Sequence, residues 1–280
     1  MLIGISNYPF TDKWKSLKSL KMLGFDAIDY SIANTDSFLY NSSFDELRKY
    51  LSELKAELEE TGLFVSQTHG PWMGTNNDNT EEKRTKTLGD MKRCILITEL
   101  LDCKYMVIHP LMPFGTKDKK IARVHETRDI NLNFMRTLIE FAKEHNVTLC
   151  LENMPMPEFS LGSPAEIFDL VREINDEHFK ICLDVGHVAT YEDLNLGDSV
   201  RLLGNYIKVL HVHDSIKGLD LHTVPYLGKT DWVDFAKALN DVDYDGVFSL
   251  EISPPTSLSV DARGEFFKLL NKISREIVNQ

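Results

Sequence analysis

Eight short apolar or alternating runs, each parted from the next by a segment of helical period, constrain this chain more than any other feature. They are "LIGISNY" (2–8), "DAIDYSI" (26–32), "FVSQTHG" (64–70), "YMVIHP" (105–110), "TLCLENM" (148–154), "KICLDVGH" (180–187), "IKVLHVHDS" (207–215) and "GVFSLEIS" (246–253). Strands that alternate with helices pair in parallel through right-handed crossovers. Eight such units in 280 residues close most economically into a (β/α)8 TIM barrel, an α/β architecture; a doubly wound open sheet is the alternative. No low-complexity linker, short-period repeat or glycine-rich phosphate loop interrupts the pattern. Residues 1–280 therefore read as a single barrel domain.

Helix signals support the alternation. Phe44, Leu47, Leu51, Leu54 and Leu58 recur at i+3/i+4 spacing; Ser43 and Glu46 form a capping box before them and Gly62 stops the helix. A second capping box, Ser163 with Glu166, has Pro164 at the first helical position. Asp231 caps "WVDFAKALNDV". Leu132, Met135, Ile139 and Ala142 mark the helix before the fifth strand, and Phe266, Leu269, Leu270, Ile273 and Ile277 the last one.

What each strand ends in bears on function, because barrel enzymes carry their chemistry at the carboxyl ends of the strands. The third run ends in His69, the fourth in His109 and the fifth in Glu152. The sixth ends in Asp184 and His187, the seventh in His211, His213 and Asp214, and the loop after it holds Asp220 and His222. The eighth ends in Glu251. A lone strand-end histidine is an ordinary polar residue, but six of the nine histidines fall at the same end of the inferred sheet, among several carboxylates. Ionised carboxylates share a low-dielectric site only when cations neutralise them. Mixed imidazole and carboxylate donors suit Zn²⁺, Mn²⁺ or Fe²⁺ better than Ca²⁺.

"THGP" (68–71), "IHP" (108–110), "LEN" (151–153), "LDVGH" (183–187), "HVHDS" (211–215), "DLH" (220–222) and "SLEIS" (249–253), in this order over nearly the whole chain, resemble the xylose isomerase-like barrel superfamily. That superfamily contains sugar isomerases and epimerases and the endonuclease IV-type apurinic-site nucleases of AP endonuclease family 2. The resemblance implies that Glu152, Asp184, His211 and Glu251 ligate a central metal. It implies a second site of His69 and His109 with Glu152 bridging, and a third of His187, Asp220 and His222, giving one to three ions, Zn²⁺ or Mn²⁺. His213 falls outside this ligand pattern and is expected to be structural, with Asp214 orienting a loop or ligand.

The chemistry implied first is isomerisation or epimerisation of a small hydroxy-carbonyl compound, a sugar or keto-sugar, through proton abstraction and an enediolate. Similarity to ketose epimerases gives Glu152 and Glu251 the acid–base roles and makes Glu158 and His187 substrate contacts. Those epimerases carry an arginine six positions past the seventh-strand ligand. Here Lys217 keeps the cation but loses the bidentate fork, which bears on ketohexose epimerisation in particular. Trp72 and Trp14 are candidate stacking surfaces for a sugar ring, and the polar segments 34–43 and 112–120 are candidate lids.

Two further activities fit the same residues: endonuclease IV-like phosphodiester cleavage with three zinc ions, and dehydration of a keto-sugar or keto-acid. A non-catalytic, metal-stabilised binding protein is the remaining class, though closed structural sites do not leave a ring of spare acid–base groups. Charge decides against nucleic acid. Acidic residues outnumber basic ones 43 to 31, giving a net charge of −12 that repels phosphate polyanions and anionic membranes. Lys117, Lys119, Lys120 and Arg123 form the main basic cluster in the strand-end loops.

Composition is that of a globular domain, 42% hydrophobic and 26% charged. Cys94, Cys103, Cys150 and Cys182 form no CxxC pair, lie in apolar patterns and read as reduced core residues of a cytoplasmic protein. "MLIGISNYPF" lacks a basic leader and reads as a first strand, and no run approaches the ~18 apolar residues that suggest a membrane span.

Overall fold

The computed structural model describes residues 1–7 and 16–280. Its main sheet has eight strands among the described residues: β1 (Ile3–Asn7), β2 (Ala27–Ser31), β3 (Phe64–His69), β4 (Tyr105–Ile108), β5 (Thr148–Glu152), β6 (Phe179–Asp184), β7 (Ile207–His211) and β10 (Phe248–Leu250). The order is β10-β1-β2-β3-β4-β5-β6-β7, with every neighbouring pair parallel. The two ends meet just past β7. Val212 N–H donates to Ser249 O at 2.8 Å and Glu251 N–H to Val212 O at 3.0 Å. These bonds close the sheet into a barrel and exclude the open doubly wound alternative. Tyr8, the end of the first predicted strand, and Trp14 lie outside the described residues.

Beside the short helices α1 (Leu17–Met22), α2 (Phe38–Asn41) and α8 (Leu196–Leu203), longer helices fill the crossovers: α3 (Phe44–Thr61), α4 (Glu81–Leu100), α5 (Val124–Glu144), α6 (Pro164–Ile174), α9 (Trp232–Asp241) and α10 (Val260–Val278). Both capping boxes form, Ser43 with Glu46 and Ser163 with Glu166. Gly62 ends α3 at φ 65°, a left-handed conformation in which a side chain is strained. Asp231 caps α9 by accepting from Val233 and Asp234 N–H. No described helix is long and apolar enough to cross a membrane.

Two layers of apolar side chains follow from strand periodicity, because residues two apart point to the same side. Ile108, Leu149, Leu151, Ile181, Leu183 and Leu210 belong to the large core cluster that includes the helices. Val107, Cys150, Cys182 and Val209 instead form a separate buried cluster inside the barrel. All four cysteines are buried free thiols, as their apolar settings predict.

The seventh run departs from expectation. It is not one strand over 207–215: β7 stops at His211, and a small antiparallel hairpin follows, β8 (Asp214–Ile216) with β9 (Leu219–Thr223). Gly218 at its turn has φ 72°. The end of the sixth run also turns early into a short helix, α7 (Val185–Thr190), whose N-cap is Asp184.

Candidate active site

The interior cluster fixes where the polar groups stand. His109, Glu152, Asp184 and His211 each lie two residues beyond a member of that cluster, so their side chains project on the same inner side, one layer nearer the mouth. Glu251 follows β10 and its N–H is held by Val212 O. Donor atoms of Glu152, Asp184, His211 and Glu251 all come within 4.8 Å of one another. His211 Nδ1 is 3.1 Å from Glu152 Oε1, 3.5 Å from Glu251 Oε2 and 4.0 Å from Asp184 Oδ2.

His69 and His109 approach the other oxygen of Glu152. His69 Nε2 stands 3.5 Å and His109 Nε2 3.0 Å from Glu152 Oε2. His69, Glu152 and His211 make a second convergent group. His109 touches Glu152 but is not in any group whose donors all lie within that radius. Glu152 Oε2 and His109 Nδ1 are buried and make no aligned hydrogen bond. A buried carboxylate oxygen without a hydrogen bond, ringed by imidazole nitrogens and further carboxylates, fits a divalent cation of the zinc or manganese kind.

A third group gathers beside the first: His187 on α7, His213 after β7, and Asp220 and His222 on β9. His187 Nε2 lies 3.3 Å and His222 Nε2 3.1 Å from Asp220 Oδ2, and His213 Nδ1 lies 3.8 Å from Asp220 Oδ1. The ligand pattern implied by the family resemblance set His213 apart as structural; the fold puts it among the donors. Gly186 makes this possible. A Cβ there would sit 1.9 Å from Cε1 of the His213 ring, so the imidazole packs directly against the glycine backbone.

Electrostatics follow from this packing. Burial disfavours ionised Glu152, yet His211 and His109 outweigh it and hold the carboxyl well below the usual range. Burial likewise opposes a charged His187, but Asp184, Asp220 and Glu152 raise it to about 10. His222, less buried, rises to about 9 beside Asp220 and Glu251. His109 goes the other way, because burial prevails there over its Glu152 contact.

The remaining expected residues lie around this centre. Trp72 is half exposed, its ring 5.9 Å from that of His109. Glu158, on the loop after β5, is paired with Lys120, and Lys217, at the β8–β9 turn, with Glu192. The structure therefore brings neither into the cluster. Asp214 is fully buried and accepts four hydrogen bonds: Oδ1 from Ser215 and Thr230 N–H, Oδ2 from Tyr226 N–H and Trp232 Nε1–H. It orients the loop, as expected. Both candidate lids are tied down: Arg93 holds Leu39 O at 2.6 Å and Ser42 O at 2.7 Å, and buried Asp118 accepts from Ser160 N–H at 2.9 Å.

Three residues escaped the sequence reading. Asp29 on β2 is buried, with Oδ2 2.9 Å from His211 Nε2, and Gln67 Nε2 donates to the same oxygen at 3.1 Å. Asn153 exchanges two hydrogen bonds with the Asp184 backbone, accepting from its N–H at 2.8 Å and donating to its carbonyl at 3.0 Å. The signal for Asp29 was an acid in the middle of the apolar run "AIDYS".

Known proteins share this fold. A family model described as the xylose isomerase-like TIM barrel matches residues 17–269. A D-psicose 3-epimerase of Enterocloster bolteae is 27% identical over 252 residues, covering 86% of this chain and 77% of its own. Among solved structures, a D-tagatose 3-epimerase-like protein superposes with a TM-score of 0.79 at 24% identity, over 100% of this chain and 98% of that one. The IOLI protein, solved with a zinc atom, gives 0.77 at 17% identity, over 99% and 98%. With eight parallel strands closed into a barrel and the family match running over most of its length, the chain belongs to the xylose isomerase-like TIM barrel family.

Proposed function

We propose that the chain is a divalent-metal-dependent epimerase or isomerase of a small hydroxy-carbonyl compound, a ketose or keto-sugar. The observation that carries this reading is the convergence of Glu152, Asp184, His211 and Glu251 donors within 4.8 Å of one another at the barrel mouth. Similarity to sugar 3-epimerases supports it. The four side chains would hold one Zn²⁺ or Mn²⁺. Bound there, the cation supplies Lewis-acid stabilisation of the negative charge that grows on a substrate oxygen as an enediolate forms.

The protein's own groups do the rest. Glu152 is kept ionised by His211 and His109, so it can accept a carbon-bound proton at neutral pH. Glu251 approaches from a different strand and is the more exposed of the two, with 11% of its side chain accessible against 2% for Glu152. One carboxylate taking a proton and the other returning one is the balance an epimerase needs. The Trp72 ring offers an apolar wall on the His109 side of the mouth. Glu158 and Lys217 take part in binding only if substrate replaces their partners Lys120 and Glu192. His187 serves the substrate only if it is not engaged by a cation with Asp220.

Nuclease activity is the competing reading. His69, His109, Glu152, Asp184, His187, His211, Asp220, His222 and Glu251, the nine positions that resemble the trinuclear nucleases, do gather at one mouth. The test is a panel of ketoses incubated in D₂O with the manganese- or zinc-loaded protein, beside a keto-sugar dehydration assay and an abasic-site duplex. Deuterium entering at a carbon next to the carbonyl, and lost on Glu251→Gln, is the expected outcome. Water loss from the sugar would move the reading to a dehydratase, and strand cleavage without exchange would replace it by the nuclease.

A further inference from the structure

We propose that His213 is a fourth ligand of the third cation site implied for His187, Asp220 and His222, and closes it, so that three imidazoles and the Asp220 carboxylate clasp the β8–β9 hairpin to α7. The assignment goes beyond the epimerase reading and does not depend on it. The carriers are the two nitrogens of each ring. His187 Nδ1 lies 2.6 Å from Asn153 O, and His222 Nδ1 lies 3.0 Å from Glu251 O. A carbonyl oxygen only accepts, so in both rings Nδ1 keeps a proton and Nε2 is the nitrogen whose lone pair a cation would take on displacing its proton. Those two Nε2 atoms face Asp220 Oδ2, at 3.3 and 3.1 Å.

His213 is arranged the opposite way round, to the same end. Its Nε2 is 3.1 Å from Asp184 Oδ2, a carboxylate that accepts, so Nε2 carries the proton. Its Nδ1 then presents the lone pair toward Asp220, 3.8 Å from Oδ1. Ser215 Oγ is 3.4 Å from Nδ1, but it already donates its one hydrogen to Asp220 Oδ1 at 3.2 Å and accepts from Leu221 N–H at 3.0 Å. Three inward lone pairs and one carboxylate, each outer nitrogen pinned by an oxygen, match the way proteins preset imidazoles for a metal.

Nitrogen-rich, four-donor coordination suits a zinc-class ion and leaves no open position, which is the pattern of a structural site. A three-donor site without His213 would keep a place for water or substrate. His213 is the residue that separates the two cases. Asp184 serves both centres: it belongs to the central donor group and also orients the His213 ring.

Cobalt(II) loading of the full chain tests this, because four-coordinate cobalt absorbs far more strongly than higher-coordinate cobalt. Unaltered protein, His213→Gln, His213→Asn and His222→Gln are loaded, desalted and compared by elemental analysis, visible spectrum and hydrogen exchange of the 214–223 amides. His213→Asn keeps an amide donor and guards against a packing defect, and circular dichroism checks that each variant is folded. The expected result is one ion fewer per chain in all three variants, a weaker four-coordinate band and faster exchange in the hairpin. If both His213 variants keep the full complement and spectrum while His222→Gln loses an ion, the site is open and His213 is not a ligand. If none of the variants differs from the unaltered protein, there is no site.

Discussion

Asp29 illustrates what a single side chain contributes here. Its carboxylate receives His211 Nε2 at 2.9 Å and Gln67 Nε2 at 3.1 Å, so the His211 ring is oriented from behind and its Nδ1 turned toward Glu152, Asp184 and Glu251. A carboxylate behind a ligating imidazole also raises the basicity of the nitrogen facing the metal. Asp29→Asn keeps the shape and an acceptor but removes the charge. Manganese affinity at the central site should fall about ten- to a hundredfold with the fold unchanged, read by titration calorimetry; affinity equal to that of the unaltered protein would remove Asp29 from this role. The proposed ligands were legible because they sit at strand ends, where parity and position both mark them. Asp29 was not, since only the closed barrel brings it to His211, 182 positions away.

At the level of elements, the apolar runs and caps carried most of the information. Ser43–Glu46 and Ser163–Glu166 form as read, and each strand run lands in the barrel. The hairpin of β8 and β9 was missed for a physical reason: "HVHDS" continues an alternating pattern past His211, but beyond the Val212 bridge to Leu250 the chain leaves the barrel and pairs with β9 instead. The helix α4 was equally quiet, because its opening "EEKRTKT" has no apolar face and it is started by the Thr80 cap, which accepts from Lys83 N–H. Asp214 then becomes the anchor for everything between the hairpin and α9. Its four hydrogen bonds reach Ser215, Tyr226, Thr230 and Trp232, and a Cβ on Gly228 would press on its Oδ1 at 2.2 Å. Asp214→Ala leaves the buried Trp232 N–H and three amides without their acceptor, at about 1–3 kcal/mol for each buried donor left unmade. A loss of about 3 kcal/mol or more is expected in urea unfolding monitored by Trp fluorescence. A loss below about 1 kcal/mol would show that the loop finds other acceptors.

For the molecule as a whole, the balance of charge decides which partners can reach the mouth. The net charge of −12 sets a repulsive background for any polyphosphate, so duplex binding would need a local patch strong enough to reverse it. The main basic cluster of the strand-end loops is largely taken up by contacts within the protein. Lys119 pairs with Glu166 at 2.5 Å, Lys120 pairs with Glu158, and Arg123 lies over the Phe114 ring at 4.2 Å with Glu126 3.9 Å away. These contacts fasten the loop after β4 to the loop after β5; they do not present a row of cations toward the donors. Each phosphate that a protein neutralises releases counterions, and the affinity of a protein making many such contacts falls steeply with salt. Fluorescence anisotropy with a labelled duplex bearing an abasic site should therefore show no binding at micromolar protein in about 0.15 M salt, below the ~10⁻⁴–10⁻⁶ M range of ordinary non-specific binders. Lowering the salt should raise the signal only weakly, because Lys119 and Lys120, in the loop beside the mouth, are already paired with carboxylates. Tight binding with a steep salt slope would mean that those ion pairs open to receive the backbone, and the cluster at the mouth would then belong to a nuclease.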